Sequence, residues 1–153
     1  MDNGRDRPRL AGLHHLGISV TDLERSMRFY RDLVGADLLV GPHNGTSPSF
    51  VGRMAILTLG GCIFDLYEHA RNEGERFDPA RTGLDHFALT ATTLDELQAW
   101  AAWLDTRGVA RSPIREAADG RAKIFDFVDP DGIQIEFIHL NLGTYARPST
   151  GFP

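Results

Sequence analysis

"GLHHLGISVTDL", Gly12 to Leu23, returns 71 residues later as "GLDHFALTATTL", Gly83 to Leu94. Under that shift Gly12 meets Gly83, Leu13 meets Leu84, His15 meets His86, Thr21 meets Thr92 and Leu23 meets Leu94. The same shift lays "GGCIFDLY" (Gly60 to Tyr67) on "DGIQIEFI" (Asp131 to Ile138), matching Gly61 with Gly132 and Asp65 with Glu136. A shared offset at both ends of each half means one structural plan used twice.

Each half opens with alternation, Leu16, Ile18 and Val20 in one and Phe87, Leu89 and Ala91 in the other, which predicts a strand with one face on an apolar layer. A helix follows in both. Thr21 or Asp22 can cap the first, Leu23, Met27, Tyr30 and Val34 recur at helical spacing, and Gly35 stops it. The second runs through Leu94, Leu97, Trp100, Ala101 and Leu104 to Gly108. Each half then closes with a strand, a turn and a strand, "MAILTLGGCIFDLYE" and "AKIFDFVDPDGIQIEFI". With one further short strand in each middle stretch, the unit is βαβββ.

Strand parity decides which histidine matters, because successive side chains point to opposite faces. Leu16, Ile18 and Val20 face the helices and His14 shares their side, so His15, Gly17 and Ser19 face away. The repeat agrees: His15 keeps a histidine at His86, whereas His14 is replaced by Asp85. By the same parity Asp65 turns toward His15, and Glu136 joins His86. Two neutral imidazoles with one or two carboxylates form a donor set for a divalent first-row metal such as Fe, Mn, Ni, Co or Zn. Taken singly, each of the four also reads as a polar residue on a solvated sheet face.

The turn "DPDG", Asp129 to Gly132, suits a three-residue hairpin loop with a glycine bulge that pairs Asp129 with Ile133. In that register Asp126 lies opposite Glu136, a placement that costs stability without a cation or shared proton beside the two carboxylates. Asp126 is then a general base or substrate contact; in a two-residue register it is an ordinary surface acid.

At 153 residues the chain is expected to form one compact domain. Its divisions are a flexible N-terminus 1–9, a first module 10–70, a linker 71–82, a second module 83–142 and a tail 143–153. A net charge of −5 leaves no broad basic face, which argues against nucleic acid. The single Cys62 excludes an internal disulfide and, with no signal-like segment, fits a reducing cytoplasm. No apolar run approaches a membrane span.

At "LHHLGISVTDLERSMRFYRDLVGA", "GLDHFALTA" and "FDFVDPDGIQIEF" the chain resembles the vicinal oxygen chelate superfamily, also called the glyoxalase/bleomycin resistance/dioxygenase family, over nearly all of Leu10 to Leu142. The resemblance implies an α+β fold: two tandem βαβββ modules forming a cup-shaped mixed sheet with helices on the outer face. It implies metal ligands at His15, His86 and Glu136. A fourth position falls on Asp65, one methylene shorter than the usual Glu, so that Asp65 is a ligand, a water-bridged ligand or a base. It also implies a homodimer, with His15 and Asp65 of one subunit facing His86 and Glu136 of another where modules are swapped.

The implied activity is a glyoxalase-like lyase or isomerase acting on a small oxygenated metabolite. In it the metal polarises a carbonyl and a carboxylate, Asp65, Asp126 or a labile Glu136, moves a proton. Two alternatives stand beside it. An Fe(II) extradiol-type dioxygenase would use His15, His86 and Glu136 as a facial triad; of the extra histidines and tyrosine such enzymes want, Tyr67 is available, but His69 and His139 are read as having the wrong parity. A metal-free sequestering protein of the bleomycin-resistance type would typically lack the triad. Thiol transfer of the fosfomycin type ranks lower, since no cationic phosphonate cradle is recognisable, although Arg53, Arg121 and Lys123 lie near the right strands.

Overall fold

A computed structural model describes residues 12–141; the expected flexible N-terminus and C-terminal tail lie outside them. Element order in the first half is β1 (His15–Ser19), α1 (Leu23–Arg28), β2 (Asp37–Ser47), β3 (Phe50–Leu59) and β4 (Cys62–His69). The second half has β5 (His86–Thr90), α2 (Leu94–Thr106), β6 (Arg115–Glu116), β7 (Ala122–Val128) and β8 (Gln134–Leu140). Two four-stranded mixed sheets result, in the orders β1-β4-β3-β2 and β5-β8-β7-β6, so the α+β fold of two βαβββ modules is observed.

The repeat extends to the ladder. In the parallel pair β1–β4, His15 lies beside Ile63 and Gly17 beside Asp65; in β5–β8, His86 lies beside Gln134 and Ala88 beside Glu136. Beyond each ladder Val20 N–H donates to Tyr67 C=O and Ala91 N–H to Ile138 C=O, both at 2.8 Å. The residue between strand and helix is polar in both halves because the first-turn N–H groups need an acceptor. Asp22 accepts from Arg25 N–H, and Thr93 forms a reciprocal capping box with Glu96.

The first helix departs from its expected course. Its α-turns end at Arg28, and Phe29–Leu33 continue as a π-helical turn, with Val34 N–H reaching Phe29 C=O at 3.4 Å. The wider turn leaves Tyr30 fully buried. The middle strands are also unequal: β2 spans 11 residues, whereas β6 spans 2.

Helix α1 packs on β3 and β4, and α2 on β7 and β8. Ile18, Val20, Leu57, Phe64 and Leu66 from one half form a single apolar cluster with Leu97, Phe125, Ile135 and Phe137 from the other. Contacts across the halves fall on these helix-facing sides: Phe64 meets Phe87 at 5.4 Å and Phe29 meets Phe127 at 6.2 Å between ring centroids. Trp103 Nε1 donates to Leu33 C=O at 2.9 Å. The modules are joined through their helix-facing layers, and His15, Gly17, Ser19, His86, Ala88 and Thr90 on the opposite faces stay exposed.

Candidate functional site

The site residues divide into two half-sites. In the first, His15 and Asp65 share the helix-free face of β1 and β4, offset by two residues along the ladder. Asp65 is only 6% exposed, and its Oδ1 is buried with no hydrogen-bond partner, while Oδ2 accepts from the Tyr67 hydroxyl at 3.3 Å. Burial, with the neighbouring Asp65 carboxylate second, pushes the Tyr67 phenol up, which keeps it a donor. A Cβ on Gly17 would come within 3.1 Å of the Tyr67 ring, so the glycine makes room for that ring beside Asp65.

The second half-site holds His86 and Glu136, again offset by two residues, on β5 and β8. The "DPDG" turn has the expected form: Asp129 N–H donates to Ile133 C=O at 2.9 Å, Gly132 N–H to Asp129 C=O at 3.1 Å, and Gly132 has φ +94°. Asp126 consequently lies opposite Glu136. A cation does stand beside Asp126: the guanidinium of Arg115 is 2.5 Å from its Oδ2. Arg115 lies across from Ile124, on the face that carries Asp126 and Glu136. The sequence reading missed it because a strand of 2 residues offers no alternation to read.

His69 corrects another reading. On β4 it follows Ile63, Asp65 and Tyr67 in parity, and its ring packs 5.0 Å from Phe50, which also packs 5.0 Å from Tyr67. Phe50, Met54, Tyr67 and His69 line a groove of about 420 Å³ on the same side as Asp65. The sequence did carry the signal, since 65, 67 and 69 are successive odd positions of one strand. His139 does lie on the helix side, with Nδ1 3.2 Å from Ala91 C=O. His14 is exposed and precedes β1 rather than belonging to it.

The donor chemistry fits a divalent ion: two imidazoles, a half-buried glutamate, and a buried aspartate whose unpartnered oxygen lacks any compensating donor. Among the described residues of one chain, however, no three His, Cys, Asp or Glu side chains converge on a common point. The first half-site and the second thus do not combine into one donor cluster among the described residues of a single chain. Nor is any helix among the described residues long and apolar enough to cross a membrane.

Comparison with known proteins agrees with the fold. The chain is 30% identical over 127 residues to the metallothiol transferase FosB of Staphylococcus epidermidis, covering 83% of this chain and 82% of that protein. It is 28% identical over 127 residues to the uncharacterized protein YaeR of Escherichia coli, covering 83% and 95%. A glyoxylase/bleomycin resistance protein/dioxygenase domain from Frankia sp. superposes with a TM-score of 0.76 at 28% identity, covering 86% of this chain and 99% of that one. The Listeria monocytogenes fosfomycin resistance protein FosX, solved as a mutant with Mn(II) and dihydroxypropylphosphonic acid, shares the fold at TM-score 0.67 and 19% identity, covering 88% and 96%. The profile of the Glyoxalase/Bleomycin resistance protein/Dioxygenase superfamily matches residues 12–137, and the chain belongs to that superfamily.

Proposed function

We propose that the protein is a divalent-metal-dependent lyase or isomerase acting on a small oxygenated metabolite, with its site completed by a second copy of the chain. His15 and Asp65 of one copy would face His86 and Glu136 of the other. The observation that carries this reading is the pair of half-sites at equivalent ladder positions, each on an exposed helix-free face, one of them holding a buried carboxylate oxygen with no partner. Such an oxygen is costly to keep unless something arrives to meet it.

His15, His86 and Glu136 would hold the ion, and the bound ion would act as a Lewis acid on a pair of substrate oxygens. Asp65 Oδ1 is the atom free to take a proton from the substrate, because Oδ2 is already engaged by Tyr67. Asp126 is tied to Arg115, and its role is to hold that guanidinium on the face that receives the substrate. Phe50, Met54, Tyr67 and His69 form a less polar wall beside Asp65.

Two measurements test the reading. Purified protein reconstituted with Mn(II), Zn(II), Ni(II), Co(II) or Fe(II) should retain stoichiometric metal and catalyse deuterium exchange from solvent at the carbon next to the carbonyl of an α-hydroxy ketone. His15→Ala and Glu136→Ala chains, each deficient in metal alone, should recover about a quarter of the wild-type content when mixed and reassociated at random, because about half of the dimers are then mixed and one of the two sites in each mixed dimer is intact. Absence of bound metal in every reconstitution would return the protein to the sequestering class. Failure of the mixture to recover metal would place the whole site in one chain.

A second reading, metal-dependent transfer of a thiol, is favoured by the 30% identity to FosB together with Arg115, a cation on the face of Glu136. Consumption of fosfomycin in the presence of a thiol, without deuterium exchange, would select it.

A further inference from the structure

We infer that Asp85 is a positioning residue for His86: it holds the imidazole so that Nδ1 carries the proton and Nε2 presents its lone pair to the ion. The inference rests on the reading of His86 as a metal ligand and concerns a residue that reading does not use. Asp85 Oδ1 lies 2.6 Å from His86 Nδ1. An ionised carboxylate can only accept, so a hydrogen bond of that length requires the proton on Nδ1. A neutral imidazole free in water prefers to carry its proton on Nε2, the atom that then could not ligate. Asp85 reverses that preference before any metal arrives.

The repeat supplies the contrast. His14 occupies the position equivalent to Asp85, and its Nδ1 lies 2.9 Å from the Nδ1 of His15. In both modules, then, the residue just ahead of the strand lies against Nδ1 of the strand's first histidine. The partners differ in kind. An imidazole can donate or accept, so His14 imposes no tautomer on His15, whereas Asp85 imposes one on His86 and adds negative charge behind the ring. A carboxylate in that position strengthens the opposite nitrogen as a donor. Of the two histidines, His86 is therefore the one prepared in advance, next to Glu136 on the same face.

The pair is open to water, with side-chain exposures of 40% for His86 and 70% for Asp85, so it contributes little to folding stability and can be altered without unfolding the chain. The test uses full-length protein, Mn(II) or Zn(II) competed against a chelating dye, and nitrogen NMR of the imidazole rings in metal-free protein in mildly alkaline buffer. The His86 signals are assigned by their loss in His86→Gln. Asp85→Ala should weaken metal binding about 10- to 100-fold, with Asp85→Asn between that and wild type and His14→Ala within about threefold of wild type. In the same Asp85→Ala protein the ring proton of His86 should move from Nδ1 to Nε2, with no change in thermal midpoint.

Wild-type affinity in Asp85→Ala, alongside loss of metal in His86→Gln, would overturn the positioning role and leave the metal site standing. A wild-type His86 that already carries its proton on Nε2 would also overturn it. Undiminished metal in His86→Gln would remove the proposed metal site and this inference with it.

Discussion

The hydroxyl of Tyr30, fully buried on the first module, donates at 2.9 Å to Asp129 Oδ2 in the closing turn of the second. Asp129 is 3% exposed, and its Oδ1 accepts the backbone N–H groups of Asp131 and Ile133, so two bonds of the turn preceding β8 and the hydroxyl of the first module meet at one carboxylate. Asp131 repeats the arrangement with Thr21, Arg25 and Ser26 of the first module. The contact sets how the modules lie against each other, and through β8 where Glu136 points.

Tyr30→Phe should cost about 1–3 kcal/mol, because it leaves a buried carboxylate oxygen without its donor. Urea unfolding with an unchanged slope and a lower midpoint is the expected result. A midpoint equal to wild type would mean that water replaces the hydroxyl.

Stability should also carry the signature of Asp129. Burial is the largest influence on its carboxyl and raises its pKa above the ordinary aspartate value, against the opposing pull of Ile133 N–H and the Tyr30 hydroxyl. The native state therefore binds that proton more tightly than the unfolded chain does, and stability falls as pH rises from the unfolded to the native value. Below that interval the penalty for burying the charge is absent; above it the penalty is complete. Asp129→Asn does not titrate, so the variant should gain on wild type as pH rises through weakly acidic conditions and hold a constant difference on either side. A difference that moves the other way in urea titrations would mean the carboxyl is stabilised as an anion.

His86→Ala and Glu136→Ala should each lower bound metal by at least about tenfold after dialysis, and His14→Ala should not. Elemental analysis reads this directly. Equal loss in His14→Ala would overturn the assignment of the two adjacent histidines by strand parity.

Asp65→Asn should keep bound metal within about threefold of wild type, yet lower solvent exchange of the substrate proton by about 10²- to 10⁴-fold, the usual contribution of a positioned base. The same substitution should stabilise metal-free protein by about 1 kcal/mol, since it removes a buried charge with an unpartnered oxygen. Metal loss as large as in Glu136→Ala would make Asp65 a ligand instead.

Gly52→Ala should be far more damaging than Gly60→Ala. A Cβ at Gly52 would sit 2.0 Å from the backbone oxygen of Glu68, whereas one at Gly60 meets nothing within 4 Å and bears only the strain of φ +56°. We expect a cost of about 3 kcal/mol or more at the first and about 1–2 kcal/mol at the second, by thermal unfolding. Gly52 lies across from His69, so a folded variant should also lose the packing of His69 on Phe50.

What one strand decides about itself was legible in the sequence. Alternation separates His15 from Leu16, the 71-residue offset pairs His15 with His86 and Asp65 with Glu136, and "DPDG" determines that Asp126 faces Glu136. These are local consequences of a two-residue period and of turn geometry, and they act over a few residues. His69 obeys the same rule and was open to the same reading.

What depends on two distant segments meeting was decided only in the tertiary structure. No period announces that Arg115 on a two-residue strand reaches Asp126, or that Tyr30 in a π-turn reaches Asp129 across 99 positions of chain. Nor does any pattern tell which faces the modules turn toward each other. They pack by the helix-facing layers, where apolar surface leaves water, and this separates the two half-sites on a single chain. The residue types came from local rules, and their separation came from the burial of a shared core.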